Sequence, residues 1–73
     1  MSEPIKLLDV VALTVDLPDK GLVRGQVGTI VEELAPGAYE VEFVNSYSGQ
    51  AYALLPLKSE QLLTLRYTPA QAA

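Results

Sequence analysis

The sequence contains no cysteine, no histidine and no tryptophan. Without cysteine the chain has no disulfide, no thiolate nucleophile and no thiolate-bound zinc or iron–sulfur centre. Without histidine it lacks the commonest general base near neutral pH and the commonest ligand of transition metals. Paired carboxylates would need a cleft for acid–base chemistry, and a chain of 73 residues rarely builds one. We therefore predict no enzyme activity, no catalytic residue, no metal and no cofactor.

The sequence also lacks a long hydrophobic run and is poor in bases. No apolar stretch approaches the ~20 residues that cross a bilayer. The first residues, Met1–Pro4, show no basic segment leading into an apolar one, as a secretory signal would. These absences predict a cytoplasmic protein. Nine acids against five bases give a net charge of −4, which argues against nucleic acid as a partner, because such binding relies on neutralised phosphates.

What the chain has in quantity is apolar residues, at 49%, and this length and composition predict one folded domain. The clearest strand is Tyr39–Val44, where apolar side chains alternate with Glu40 and Glu42. This period of two predicts one buried face and one solvated face. β-branched or alternating segments predict the other strands at residues 7–15, 27–34, 51–57 and 63–67.

The segments between these strands are rich in turn-forming residues. We predict a turn at residues 17–21, a hairpin loop at 35–38 and a loop at 45–50. Ser59 is predicted to cap one helical turn before the last strand. Pro56 is predicted near a sheet edge or strand end, and Gly28 near a bulge or sharp bend.

Five antiparallel strands in so short a chain must curl to protect their edges. We therefore predict an all-β, five-stranded SH3-like barrel that forms a single domain over residues 1–73, with its core at about 7–66. Residues 1–6 are predicted to be a flexible arm and 68–73 a flexible tail. The predicted interior consists of Val11, Leu13, Val23, Val27, Ile30, Val31, Val41, Phe43, Ala53, Leu55, Leu62 and Leu65.

Further apolar residues exceed what one small interior can hold. They are Val44, Ala51, Leu54, Leu57, Leu63 and Tyr67. Because an exposed apolar patch commonly marks an interface, we predict that the protein forms a homodimer or pairs with another chain through its last strands.

Five blocks of the sequence resemble a family of short bacterial proteins, the domain of unknown function 4926. The blocks are Leu8–Leu13, Leu17–Leu22, Arg24–Val31, Tyr39–Phe43 and Leu57–Leu62, and they occur in this order. The resemblance implies a small, stand-alone all-β protein. It implies no accepted activity and no site residue. It also implies gene partners in the manner of toxin–antitoxin pairs.

The glycine-rich segment Gly25–Val31 permits two interpretations. It is similar to the core of KOW-type SH3-like domains, which implies RNA or DNA binding as an alternative function. A phosphate cradle built on Gly25 and Gly28 would require a following helix N-terminus or a nearby lysine. Here a predicted strand follows, so a structural bend is the favoured interpretation.

The predicted second hairpin concentrates acidic residues. Glu40 and Glu42 share one face, and Glu32 or Glu33 joins them if it points the same way. The cluster is a solvated face, an acidic patch for a basic partner or, less readily, a divalent-metal site. If it is a patch, neutralising Glu40 and Glu42 weakens partner binding without unfolding the protein.

Tyrosines form the second candidate surface. Tyr47 lies in a polar loop, where it either covers the barrel end or contacts a ligand, with Lys20 and Arg24 as the available bases. Taken together, the sequence predicts a protein-interaction module, antitoxin-like or an accessory subunit. The predicted partner contacts are Tyr47, Tyr52, Arg24, Glu40, Glu42 and Leu54.

Overall fold

The computed structural model describes residues 5–45 and 47–66. Its strands are β1 (Val10–Leu13), β2 (Val27–Ala35), β3 (Ala38–Val44), β4 (Ala51–Lys58) and β5 (Leu62–Thr64). They form one antiparallel sheet in the order β4–β3–β2–β1–β5. This order and a single helical turn before β5 confirm the predicted SH3-like arrangement. No helix within the described ranges is both long and apolar enough to cross a bilayer.

The long strand β2 is shared between the two halves of the sheet. Its first residues, Val27–Thr29, pair with β1, and Thr29 onward pairs with β3. Gly28 lies at this change of partner, and a Cβ there would come within 2.8 Å of Val41 Cγ1. Glycine is therefore needed for a close approach of β3. The register irregularities predicted near Gly28 lie further along, in the segment Ile30–Ala35.

The connections explain where the elements begin and end. β2 and β3 are joined by Pro36 and Gly37 alone, and Gly37 has the positive φ of 80° that such a turn demands. A 3₁₀ turn at Ser59–Gln61 precedes β5. The prediction that Ser59 caps it was wrong: the N-cap is Lys58, whose backbone N–H donates to Gln61 Oε1 at 2.8 Å.

Pro56, the start of β1 and the N-terminal arm can each be compared with their predicted positions. β4 is an outer strand of the sheet, so its Pro56 confirms the predicted edge placement. β1 begins at Val10 because residues 6–9 form a turn, in which the Asp9 N–H donates to the Lys6 carbonyl at 3.1 Å. Within the predicted arm, Ile5 packs against the core. Residues 1–4 of that arm, Tyr67 and the predicted tail lie outside the described residues.

The interior is built mainly from alternate residues of the strands. Its members are Val11, Leu13, Leu22, Ile30, Tyr39, Val41, Phe43, Leu55, Leu57 and Leu62. Ala12 is also buried, on the opposite face of β1. Two predicted members, Ala53 and Leu65, are only half-buried. Leu57, expected among the excess apolar residues outside, is buried because it shares the inward face of β4 with Leu55.

The core prediction was wrong for three residues, all of them valines, which are exposed. Val23 is exposed because its neighbour Leu22 bridges to Leu17 and turns inward. Val27 pairs with Ala12 on the outer face of the sheet, so the inward position next to it belongs to Gly28. Val31 is left out of the β2–β3 register and is exposed.

Candidate functional site

The outward face of β3 and its neighbours forms an acidic strip with an apolar border. Glu42 lies between Thr29 of β2 and Leu54 of β4, and Glu40 lies between Glu32 and Pro56. We call this region the β3 surface. It comprises Glu32, Glu40, Glu42, Val44, Leu54 and Pro56. The structure therefore brings together three of the predicted contacts, the two glutamates of β3 and Leu54.

The carboxylates on this surface are set against one another. Glu32 and Glu40 are direct cross-strand partners, and like charges in that position destabilise a sheet. Glu33 does not join them, because it pairs opposite Tyr39, whose side chain is buried. Among the described residues, no group of three acidic side chains is arranged to hold a metal ion. The geometry therefore favours a charged contact surface.

The opposed pair leads to a stability prediction. Glu32→Lys replaces a repulsive cross-strand pair by an attractive one and is expected to raise the free energy of unfolding by about 0.5–1 kcal/mol. Urea denaturation followed by circular dichroism measures it. Glu33→Lys makes the same change of charge away from Glu40 and is the control. An equal gain in both variants would attribute the effect to net charge alone.

An open pocket of about 390 Å³ adjoins one end of the β3 surface. Its lining residues are Gln26, Val44, Asn45, Tyr47 and Tyr52. Val44 belongs to both regions, so the acidic strip runs into the pocket. Tyr47 is 99% exposed at its rim, and Tyr52 is half exposed. The two tyrosines that the sequence proposed as contacts thus meet in one site.

Gln26 is held in the pocket by the long β1–β2 loop. Its carbonyl accepts the Leu13 N–H at 2.9 Å, which ties this end of the loop to β1. Its side-chain Oε1 accepts the Val23 N–H at 2.6 Å, and its Nε2 donates to the Tyr52 hydroxyl at 2.8 Å. The Tyr52 ring lies 6.4 Å from the ring of Phe43. Tyr52 is therefore fixed by the loop on one side and by the core on the other.

Asn45 organises the β3–β4 loop, which also lines the pocket. Its Oδ1 accepts the backbone N–H groups of Tyr47 at 2.8 Å and Ser48 at 3.2 Å. Its own backbone N–H donates to the Gln50 carbonyl at 2.8 Å, and its carbonyl accepts from Gly49 at 2.8 Å. An asparagine with this Asx-turn bonding explains how a polar loop holds a fully exposed tyrosine in place.

The structure does not bring Lys20 and Arg24 together with Tyr47 in the pocket, as the sequence predicted. Arg24 is exposed and does not line the pocket; its backbone N–H donates to Asp16 Oδ1 at 2.9 Å. Gln26, two residues later, takes the place next to Tyr52. Lys20 ends the 3₁₀ turn Pro18–Lys20 and is not among the lining residues either. Sequence reasoning missed Gln26 because nothing in its neighbourhood signals contact with residue 52.

The other apolar residues expected outside have varied positions. Val44, Ala51, Leu54 and Leu63 are exposed as predicted. Leu63 lies opposite Ala12 on the outer face of β1 and β5, away from the β3 surface. Self-association through the last strands stays a prediction.

Comparison with known proteins identifies a family for this chain. A family model described as a domain of unknown function (DUF4926) covers residues 7–64. No curated protein and no solved structure matches the chain. The matched span contains all five strands, the β3 surface and the residues that line the pocket.

Proposed function

The chain belongs to the DUF4926 family, whose function is unknown, and from its surface we propose that it is a non-catalytic protein-interaction module. It docks a basic, extended segment of a partner protein on the β3 surface. Such a module acts as an antitoxin-like protein if it blocks its partner and as an accessory subunit if it holds the partner in place.

The observation that carries the proposal is the direct opposition of Glu32 and Glu40, with Glu42 on the same face. This arrangement weakens the sheet of the isolated protein. A lysine or arginine of the partner placed over the strip removes the repulsion between the carboxylates. The relief of this repulsion then contributes to the free energy of binding. Exposed Leu54 and Val44 beside the carboxylates supply the apolar contact that charge alone does not.

The expected energetics are modest for each charge. An exposed ion pair contributes about 0.2–1 kcal/mol. Two carboxylates are therefore worth roughly a 2- to 30-fold change in affinity, at 1.4 kcal/mol per tenfold. Because these charges are at the surface, the binding they support weakens as salt concentration rises.

The test is a binding titration with a defined probe. A fluorescein-labelled peptide of alternating lysine and valine, capped at both ends, is titrated with protein, and anisotropy is recorded at low and high salt. The double variant Glu40→Gln/Glu42→Gln is expected to bind roughly 2- to 30-fold more weakly than the wild type at low salt. The difference should shrink at high salt.

The matched control is Asp19→Asn/Glu60→Gln, which removes the same number of charges from the two 3₁₀ turns. It should bind the peptide nearly as well as the wild type. Equal weakening in both double variants would show attraction to net charge only, and no binding at low salt would overturn the proposal.

A pull-down from the source organism complements the peptide. The bait is used with and without nuclease treatment, and recovered chains are quantified by mass spectrometry. A protein that survives nuclease and is depleted by Glu40→Gln/Glu42→Gln supports docking. Recovery that is lost on nuclease treatment would point to nucleic-acid binding and contradict the proposal.

A further inference from the structure

The hydrogen bonds around the pocket determine which of its polar atoms donate and which accept. The first of these atoms is the Tyr52 hydroxyl oxygen. The Val23 backbone N–H can only donate, so the Gln26 side-chain atom facing it at 2.6 Å must be the oxygen. The amide nitrogen of Gln26 is then the atom facing Tyr52, and the Tyr52 hydroxyl must accept from it. The hydroxyl proton of Tyr52 is left to point elsewhere. No acceptor for it occurs among the described residues.

The same reasoning identifies the oxygen and the nitrogen of the Asn45 side-chain amide. Two backbone N–H groups, from Tyr47 and Ser48, face one atom of its side chain, which must therefore be Oδ1. The amide nitrogen Nδ2, with two protons to donate, is the remaining polar atom of the side chain. Within the described part of the chain it has no acceptor. The Tyr52 hydroxyl and Asn45 Nδ2 are therefore both left as hydrogen-bond donors.

We propose that this pocket binds a backbone carbonyl of an extended peptide segment through the Tyr52 hydroxyl and Asn45 Nδ2. The inference rests on the proposed function and specifies how the docked segment is held at the end of the β3 surface. Tyr47 and Val44 form the apolar part of the pocket and contact the side chain next to that carbonyl. A volume of about 390 Å³ suits one or two residues of such a segment.

The charge around the pocket selects a neutral acceptor. None of its five lining residues is a lysine or arginine. The strip that leads into it contains Glu42, two residues before Val44 on the same face of β3. A carboxylate or phosphate would meet that negative charge without a cation to balance it. An uncharged amide carbonyl meets no such penalty, and an extended peptide supplies carbonyls at regular intervals.

The direct test uses an uncharged probe, so that it does not depend on the glutamates. An acetylated and amidated peptide of valine, leucine and serine residues is titrated into isotope-labelled protein and followed by NMR. We expect saturable shifts of the Asn45 side-chain amide signals and of the Tyr52 ring signals. Absence of these shifts up to millimolar peptide would overturn the inference.

Two variants remove a donor while leaving the local structure in place. Asn45→Asp keeps an oxygen for the Tyr47 and Ser48 N–H groups but has no proton to donate. Gln26→Glu keeps an oxygen for the Val23 N–H and presents a second oxygen to Tyr52, which draws the hydroxyl proton away from the pocket. Both are expected to lower affinity for the uncharged peptide about 5- to 30-fold, as loss of a hydrogen bond worth about 1–2 kcal/mol would.

These variants also separate the inference from the proposed function. Each adds a negative charge, so attraction to a basic peptide by charge alone would leave binding unchanged or tighten it. Weaker binding of the lysine–valine peptide by Gln26→Glu and Asn45→Asp supports the carbonyl contact; unchanged or tighter binding overturns it. Conversely, Glu40→Gln/Glu42→Gln should leave binding of the uncharged peptide intact. If only that variant affects binding of the basic peptide, docking stands and the carbonyl contact fails.

Discussion

Phe43→Ala is expected to lower the free energy of unfolding by about 3–5 kcal/mol. Phe43 is fully buried and is among the largest of the buried side chains. Its removal takes away the apolar burial and leaves a cavity that the short surrounding strands can close only in part. A chain of 73 residues has a total stability of about 4–11 kcal/mol, so the variant should be close to unfolding at room temperature.

Urea denaturation monitored by circular dichroism measures this loss. Val44→Ala, at the next position of β3 but exposed, should cost well under 1 kcal/mol. Phe43→Leu should fall between the two, since it leaves less empty volume. A loss for Phe43→Ala no larger than that for Val44→Ala would contradict the burial of Phe43 in the core. In Phe43→Leu the Tyr52 ring also loses its aromatic neighbour, so its NMR signals should shift.

Gly28→Ala is expected to cost about 1–3 kcal/mol, the usual range for overpacking a tight interior. The added Cβ would lie 2.8 Å from Val41 Cγ1 and 3.0 Å from both the Glu42 carbonyl oxygen and Phe43 Cδ2. Backbone cannot yield as a flexible side chain does, so β3 must move away from β2. The same movement would displace Glu42 on the β3 surface.

A double-mutant cycle isolates this clash. Removing Val41 Cγ1 takes away the nearest atom, so Gly28→Ala should cost less in a Val41→Ala background than in the wild type. Gly25→Ala is the control, because its Cβ meets nothing within 4 Å. It should cost about 1–2 kcal/mol from its positive φ alone, in either background. If the losses in free energy of unfolding for Gly28→Ala and Val41→Ala are strictly additive in the double variant, a steric cause is contradicted.

Local sequence chemistry predicted the elements that obey short-range rules. The alternation in Tyr39–Val44 fixes the two faces of β3 because successive side chains point to opposite sides of a strand. Pro36–Gly37 specifies the hairpin turn, and Pro56 belongs on an edge because it has no N–H to donate. In each case the cause lies within a few residues of the effect.

The register between strands was beyond the reach of that reasoning. Val27 and Val31 are apolar and β-branched, yet they face outward because β2 must match β1 at one end and β3 at the other. The opposition of Glu32 to Glu40 depends on the register shift beyond Ile30. Leu8, with a φ of 71°, likewise takes a conformation that no local preference of leucine favours.

The sequence by itself determined the fold class: an all-β fold with an acidic surface and with alternating strands that bury one face. Only the tertiary structure decided which side chains share a site. Gln26 and Tyr52 are far apart in the chain, and their contact exists because the β1–β2 loop and β4 meet at one end of the barrel. The direction of each donor in the pocket is set by backbone N–H groups of two separate loops. Periodicity carries information about faces, whereas a hydrogen bond between loops depends on where the completed fold places them.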